Sequence, residues 1–193
     1  MATVGFEEVE VAIFDAAGEN VEETFVWRDE KGGTVNMTIT GLEKETSEVY
    51  ASDKRVWLSK KGTGNVTSTF ETFNPPSEDL DKVLGREVDT DGNTSWAGED
   101  TDPPYVAMIA KTEDVDGTPL YFALTKGMMG QNEINLATRT QETTPPSNTT
   151  LTGSWQDRTI EGKSRTFGKH IGSEGYEAFR ELVFPGVPAE PEV

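Results

Sequence analysis

Polar and apolar residues alternate with period two along much of this chain. The run 34–40 (Thr-Val-Asn-Met-Thr-Ile-Thr) alternates without a fault, as do Asn65-Val66-Thr67 and Thr150-Leu151-Thr152, and 132–137 alternates over its middle four residues, 133–136. Successive side chains of a strand point to opposite faces, so each run predicts a strand with one apolar and one polar face. We therefore expect four such strands, about 34–40, 65–73, 132–139 and 149–155. Val35, Met37, Ile39, Val66, Phe70, Ile134, Leu136 and Leu151 should face a core. Asn36, Thr38, Thr40, Thr67, Thr69, Glu71, Glu133, Asn135, Thr150 and Thr152 should form the polar face. A bulge would exchange the two faces beyond it.

Other segments read as further strands. Residues 9–15 and 22–29 are extended runs, with Phe25 and Trp27 on one face of the second. Lys31-Gly32-Gly33 and residues 60–64 carry hairpin-turn chemistry. Residues 49–51 and 56–59 are short extended pieces. Residues 105–111 and 120–126 make a hairpin around Asp116-Gly117, and 133–141 pairs with 148–158 through Thr143-Thr144-Pro145-Pro146.

One helix is strongly signalled. Pro75-Pro76 breaks the preceding strand, Ser77 can cap, and Glu78 and Asp79 suit the positive end of the helix dipole. Leu80, Val83 and Leu84 then fall at i, i+3 and i+4, and Gly85 can close the helix in the left-handed conformation. A second, weaker helical pattern covers 174–182, with Tyr176, Phe179 and Val183 in phase. Residues 86–104 are acidic and turn-rich and read as a long loop. About ten strands and one clear helix predict a mainly β protein: a two-sheet antiparallel β-sandwich with one short flanking helix. We divide the chain into one domain, 1–186, with an N-terminal arm and the loop 86–104, followed by a flexible acidic tail, 187–193.

Composition narrows what such a sandwich can do. The chain has 193 residues, 35 acidic against 17 basic side chains, a formal charge of −18 and no cysteine. A body this acidic is a poor nucleic-acid binder through phosphate contacts. Without cysteine there is no disulfide frame, which fits synthesis in the cytoplasm. No run approaches the roughly 20 apolar residues of a membrane helix, and the N-terminus lacks a signal-peptide pattern, so no membrane association is expected.

Chemistry is sparse. Asp89-Thr90-Asp91-Gly92-Asn93 resembles half of a calcium loop. Gly92 stands two places early, however, and the bidentate acid would have to be Asp100, so an acidic turn is the better reading. Gly62-Thr63-Gly64 lacks the helix start that a phosphate loop needs. His170 is the only histidine and has no cysteine to join it at a metal. Trp27, Trp57, Trp96 and Trp155 fit a core or a subunit interface better than a sugar platform. No catalytic, metal-binding or cofactor-binding residue is assigned, and the chain is not expected to be an enzyme. The competing reading from another class is a carbohydrate- or protein-binding β-sandwich module of a surface protein.

Five stretches carry a resemblance. They are Ala2-Thr3-Val4-Gly5-Phe6, residues 48–54 (Glu-Val-Tyr-Ala-Ser-Asp-Lys), Asp79-Leu80 with Val83-Leu84-Gly85, Pro103-Pro104-Tyr105-Val106-Ala107, and Thr150-Leu151-Thr152-Gly153-Ser154-Trp155. In order and rough spacing they resemble the major tail proteins, or tail tube proteins, of long-tailed non-contractile phages of Gram-positive bacteria. The resemblance implies a structural virion protein made in the host cytoplasm and assembled into the tail tube. It implies homohexameric rings in which each subunit gives four strands to an inner barrel, the rings stacking as a conduit for the genome. The ten polar positions above would then face the lumen. Partners would be further copies of the chain, the tail terminator, tape-measure and distal tail proteins, with double-stranded DNA passing through unbound. The chain stops short of the immunoglobulin-like decoration domain of some relatives, so no such decoration is expected.

Strand arithmetic agrees with that conduit. A barrel of about 24 strands at roughly 4.8 Å each, tilted by up to about 40°, has a circumference of about 115–150 Å. Less about 5 Å of side chain per wall, the bore is about 27–40 Å, enough for a duplex about 20 Å across and a layer of water.

Overall fold

The computed structural model describes residues 2–136, 138 and 146–187. The first strands are β1 (Thr3–Phe14), β2 (Val21–Arg28) and β3 (Gly33–Thr40). β4 (Ser47–Ala51) and β5 (Lys54–Ser59) form a hairpin, and β6 (Val66–Phe73) leads into helix α1 (Ser77–Val83). The two-residue strands β7 (Glu87–Val88) and β8 (Ser95–Trp96) precede the long β9 (Val106–Asp114) and β10 (Pro119–Gly130). β11 (Thr149–Trp155), the small pair β12 (Arg158–Ile160) and β13 (Lys163–Arg165), β14 (Phe167–Ile171) and helix α2 (Tyr176–Val183) follow.

Eight strands form one antiparallel sheet in the order β2-β1-β9-β10-β11-β6-β3, with β14 against the first half of β10. β10 turns a corner in this sheet. As far as Leu124 it lies between β9 and β14, and from Gly127 it pairs with β11. At the corner its register with β9 shifts, the Thr125 amide donates to the Thr166 carbonyl (3.0 Å), and the Lys126 carbonyl accepts from Gln156 (2.9 Å). Only glycine fits next: a Cβ on Gly127 would lie 2.5 Å from both the Trp155 ring and the Ser154 carbonyl. The sheet folds over at this corner into two facing layers, as expected for a β-sandwich. Among the described residues it does not close into a barrel, and β2 and β3 remain free edges.

Two cores result. Between the layers lie Val9, Val11, Trp27, Phe70, Met108, Leu124, Leu151 and Trp155, all buried. Trp27 and Phe70 stack there with ring centroids 5.7 Å apart and planes within 9°. Behind the first layer, α2 covers Ala12, Phe14, Ile109 and Tyr121 with its own Val183 and with Phe184. β1 therefore contributes Val9 and Val11 to one core and Ala12 and Phe14 to the other. Burial on both faces explains why β9 reads as a nearly continuous apolar run rather than an alternating one. α1 packs Leu80, Val83 and Leu84 on the inter-layer core.

Several expectations need correction. Among the described residues the helices number two, because the weaker 174–182 pattern does fold, as Tyr176–Val183. Ser77 is the first helical residue of α1 rather than its cap; Pro76 holds the cap position, with no side-chain cap bond. Residues 86–104 contain the small β7–β8 pair rather than loop alone. The N-terminal arm is largely strand: Thr3 and Val4 pair with β9, and Phe6 packs edge-on against Phe70 (6.0 Å), so Phe6 is held by its own core. Val187 packs beside α2, and residues 188–193 lie outside those described.

Candidate functional site: the polar face of β11, β6 and β3

β3, β6, β11 and the last four residues of β10 form the second layer, and its outer face carries most of the predicted polar positions. In β6, Val66, Ser68, Phe70 and Thr72 are buried while Thr67 and Thr69 are exposed and Glu71 is half-buried. Register then fixes the rows. Asn36, Glu71 and Thr150 stand side by side; so do Thr38, Thr69, Thr152 and Gly130; and so do Thr40, Thr67, Ser154 and Met128. The Thr40 and Thr67 hydroxyls are hydrogen-bonded to each other across the strands at 2.8 Å. The result is a wall of seven hydroxyls with one amide, Asn36, one carboxylate, Glu71, and Met128 and Gly130 at its β10 margin, and no basic side chain in these three rows.

The wall is anchored from behind. The Trp155 indole N–H donates to the buried Ser68 hydroxyl at 2.8 Å. A Cβ on Gly153 would sit 2.6 Å from that hydroxyl and 2.7 Å from the indole nitrogen, so glycine is required for the pair to meet. At the margin, the Thr34 hydroxyl donates to the Phe6 carbonyl and ties β3 to the other layer.

Eight of the ten predicted polar-face residues meet on this wall; Glu133 and Asn135 do not. Residues 131–136 form no strand and all but Gln131 are exposed. Ile134 (67% exposed) and Leu136 (88%) are therefore not core residues, contrary to expectation. Register gives the reason. Met128 and Gly130 lie on the polar face, so β10 continued unbroken would place Asn132, Ile134 and Leu136 on that face and Glu133 and Asn135 behind it. The predicted 132–139 strand thus fails over 132–136, and Ala137 and Arg139 lie outside the described residues. Val35 is also misplaced: a bulge between Thr34 and Asn36 leaves it 45% exposed. Met37 and Ile39 keep their inward phase beyond the bulge.

Ser154, Met128 and Gly130 belong to the wall but were not anticipated. Ser154 continues the alternation of Thr150 and Thr152 and was legible. Met128 and Gly130 depend on the β10 corner, which has no local signature.

Two further features frame the wall. The β4–β5 hairpin is exposed almost throughout, with Val49, Tyr50, Val56, Trp57 and Leu58 in water. The Tyr50 hydroxyl donates to Glu48 (2.8 Å), and that hydrogen bond pushes the phenol pKa up. Of the tryptophans, Trp27 and Trp155 are buried and Trp57 and Trp96 exposed. The Asp89 carboxylate of the calcium-like stretch accepts from the Trp96 indole (3.2 Å). His170 lies among the rings of Tyr121, Tyr176 and Phe179.

A mainly β sandwich with a broad neutral-to-acidic wall and an exposed apolar arm has the architecture of a structural protein that builds surfaces from strands. A family model described as phage tail tube protein matches residues 1–183, nearly the whole chain, and the chain belongs to that family. Membership makes it a structural component of the virion and points to a non-enzymatic role. No curated protein sequence matches the chain.

Proposed function

We propose that the protein polymerises as stacked hexameric rings into the tube of a long non-contractile tail, with the hydroxyl-rich wall lining the conduit for the genome. The observation that carries this reading is the wall itself: three rows made mostly of polar side chains on one face of a sheet whose end strand, β3, has a free edge. Ring closure would pair that edge, which otherwise invites uncontrolled aggregation. The partners are other copies of the chain, with the terminator, tape-measure and distal tail proteins at the tube's ends. Assembly takes place in the host cytoplasm and the product is the virion tail. The apolar β4–β5 hairpin and the 86–104 segment supply contacts between subunits and rings.

A conduit must let a polyanion slide. A basic wall would bind phosphates with release of counterions, whereas hydroxyls and a carboxylate keep water between wall and duplex. Screening over about 8 Å at physiological ionic strength keeps the repulsion short-ranged, so it centres the DNA without blocking it.

Electron microscopy of concentrated protein tests the assembly, with tubes as the expected product. Single cysteines at Thr38 and Thr69 then test which face is inside. In intact tubes they should react with a bulky maleimide far more slowly than a cysteine at Lys163, the exposed first residue of β13. Equal rates would place the wall outside.

Glu71→Lys tests the charge argument. Glu71 is half-buried between Asn36 and Thr150, and the change should leave tubes intact but slow genome ejection from assembled tails. Ejection at the wild-type rate would remove electrostatics from the account while leaving the tube.

A further inference from the structure

Residues 133–136 alternate as a strand does, yet among the described residues no strand pairs with 132–136. All five residues are exposed, Ile134 and Leu136 included, although unpaired backbone and large apolar side chains both favour a partner. The segment leaves the sheet at a fixed point. Arg86 donates to the Gln131 side-chain oxygen at 2.6 Å and to Asp81 at 3.2 Å, which pins Gln131 to the end of α1.

A matching vacancy lies at the opposite margin of the same layer. β3 pairs with β6 on one side only. On its other side a slot of about 400 Å³ opens between the layers, lined by Phe6, Val35, Met37, Ile39, Ala110 and Phe122. Its lining mixes these apolar side chains with the polar Thr3, Asn36 and Thr112, it runs beside unpaired backbone, and the bulge turns Val35 towards solvent at its mouth.

We propose that residues 132–136 of one molecule are donated as a strand to the β3 edge of a second copy of this chain, with Ile134 and Leu136 entering the slot. This rests on the ring reading and names the contact that closes the ring. A second copy is required because the donor and acceptor sit at opposite margins of one layer. β11 and β6 lie between them, so the gap is about 14 Å at about 4.8 Å per strand. A contact between unlike edges is head-to-tail, and such contacts generate rings when the rotation closes. The phase also agrees. On an unbroken β10, Ile134 and Leu136 would point to the polar face, but the break at Gln131 frees the segment to reset. Seated on β3 with Ile134 and Leu136 inward, it turns Glu133 and Asn135 outward, beside Asn36 and Thr38. The wall then continues from one subunit to the next.

The test compares the full-length wild type with two variants, Ile134→Asp/Leu136→Asp and Val35→Asp. All three side chains are already in solvent, so melting temperatures should stay within about 3 °C of wild type. Native mass spectrometry should show that each variant alone needs at least about tenfold more protein to form rings, or forms none. Mixed, the two should give a one-to-one pair, since one keeps its slot and the other its donor strand. Variants that assemble like wild type would overturn the donated strand and leave the tube reading standing, as would loss of assembly only on Trp57→Asp in the β4–β5 hairpin. Wild type that stays monomeric at every concentration and salt would remove the ring reading. In that case a peptide of residues 130–138, titrated into the labelled monomer, still decides the slot. Shifts in the amides of Val35, Met37 and Ile39 support it, and unchanged spectra overturn it.

Discussion

Replacing Arg180 with leucine is expected to lower the melting temperature by roughly 6–20 °C. Arg180 lies on the buried side of α2 and reaches Glu10 on the back of β1, with its Nε 3.0 and 2.9 Å from the two carboxylate oxygens and its Nη2 bonded to Oε1. The two side chains are 7% and 13% exposed. Removing one member of such a pair leaves a desolvated charge without its partner and costs about 3–5 kcal/mol, and for a chain of this size each kcal/mol shifts the midpoint by about 2–4 °C. The double change Glu10→Leu/Arg180→Leu should recover most of the loss, because two apolar side chains carry no desolvation penalty. A single mutant within about 2 °C of wild type would mean that the pair does not hold α2 in place.

Phe70→Ala is expected to cost about 3–5 kcal/mol, against less than about 0.5 kcal/mol for Thr69→Ser next to it. Phe70 is fully buried, stacked on Trp27 and met edge-on by Phe6. Deleting its ring opens a cavity between two layers fixed by their backbone ladders, so the site cannot collapse. Thr69 is exposed on the wall and touches none of that core. Chemical denaturation of the two variants would measure the contrast. Comparable losses would mean that β6 does not separate core from wall as its alternation implies.

The contrast also shows how far the sequence could be read. In β6 alternation was sufficient: Val66 and Phe70 face in, Thr67 and Thr69 face out, and the neighbouring rows of β3 and β11 follow from register. It failed where a feature depended on non-local geometry. The bulge at Val35 is a backbone event that leaves the alternation intact. The β10 corner forms because Gly127 lets Trp155 approach, and nothing in Gly-Met-Met-Gly signals a strand passing between layers. Residues 133–136 have a strand's pattern without a strand's partner among the described residues, since pattern specifies faces but not pairing. The β4–β5 turn escaped notice because Ser52 and Asp53 both take positive φ (51° and 57°), a role the usual Asn-Gly signature would have advertised. β9 shows the opposite case: it folds as half of the expected 105–111 and 120–126 hairpin although burial on two sides erases its alternation. The wall was therefore legible except where β10 supplies it, and the exposed arm was seen only as two unconnected extended pieces.

The β10 corner has a mechanical consequence. One continuous backbone runs through both layers, so a load applied to the hydroxyl wall reaches the helix-covered side along covalent bonds rather than through side-chain contacts. The layers cannot slide past one another without breaking the ladders on either side of Gly127. The body should then deform as a block, and compliance is left to parts that stand clear of it, above all the β4–β5 hairpin. A filament built from such units would be stiff within each subunit and would bend at the joints between them.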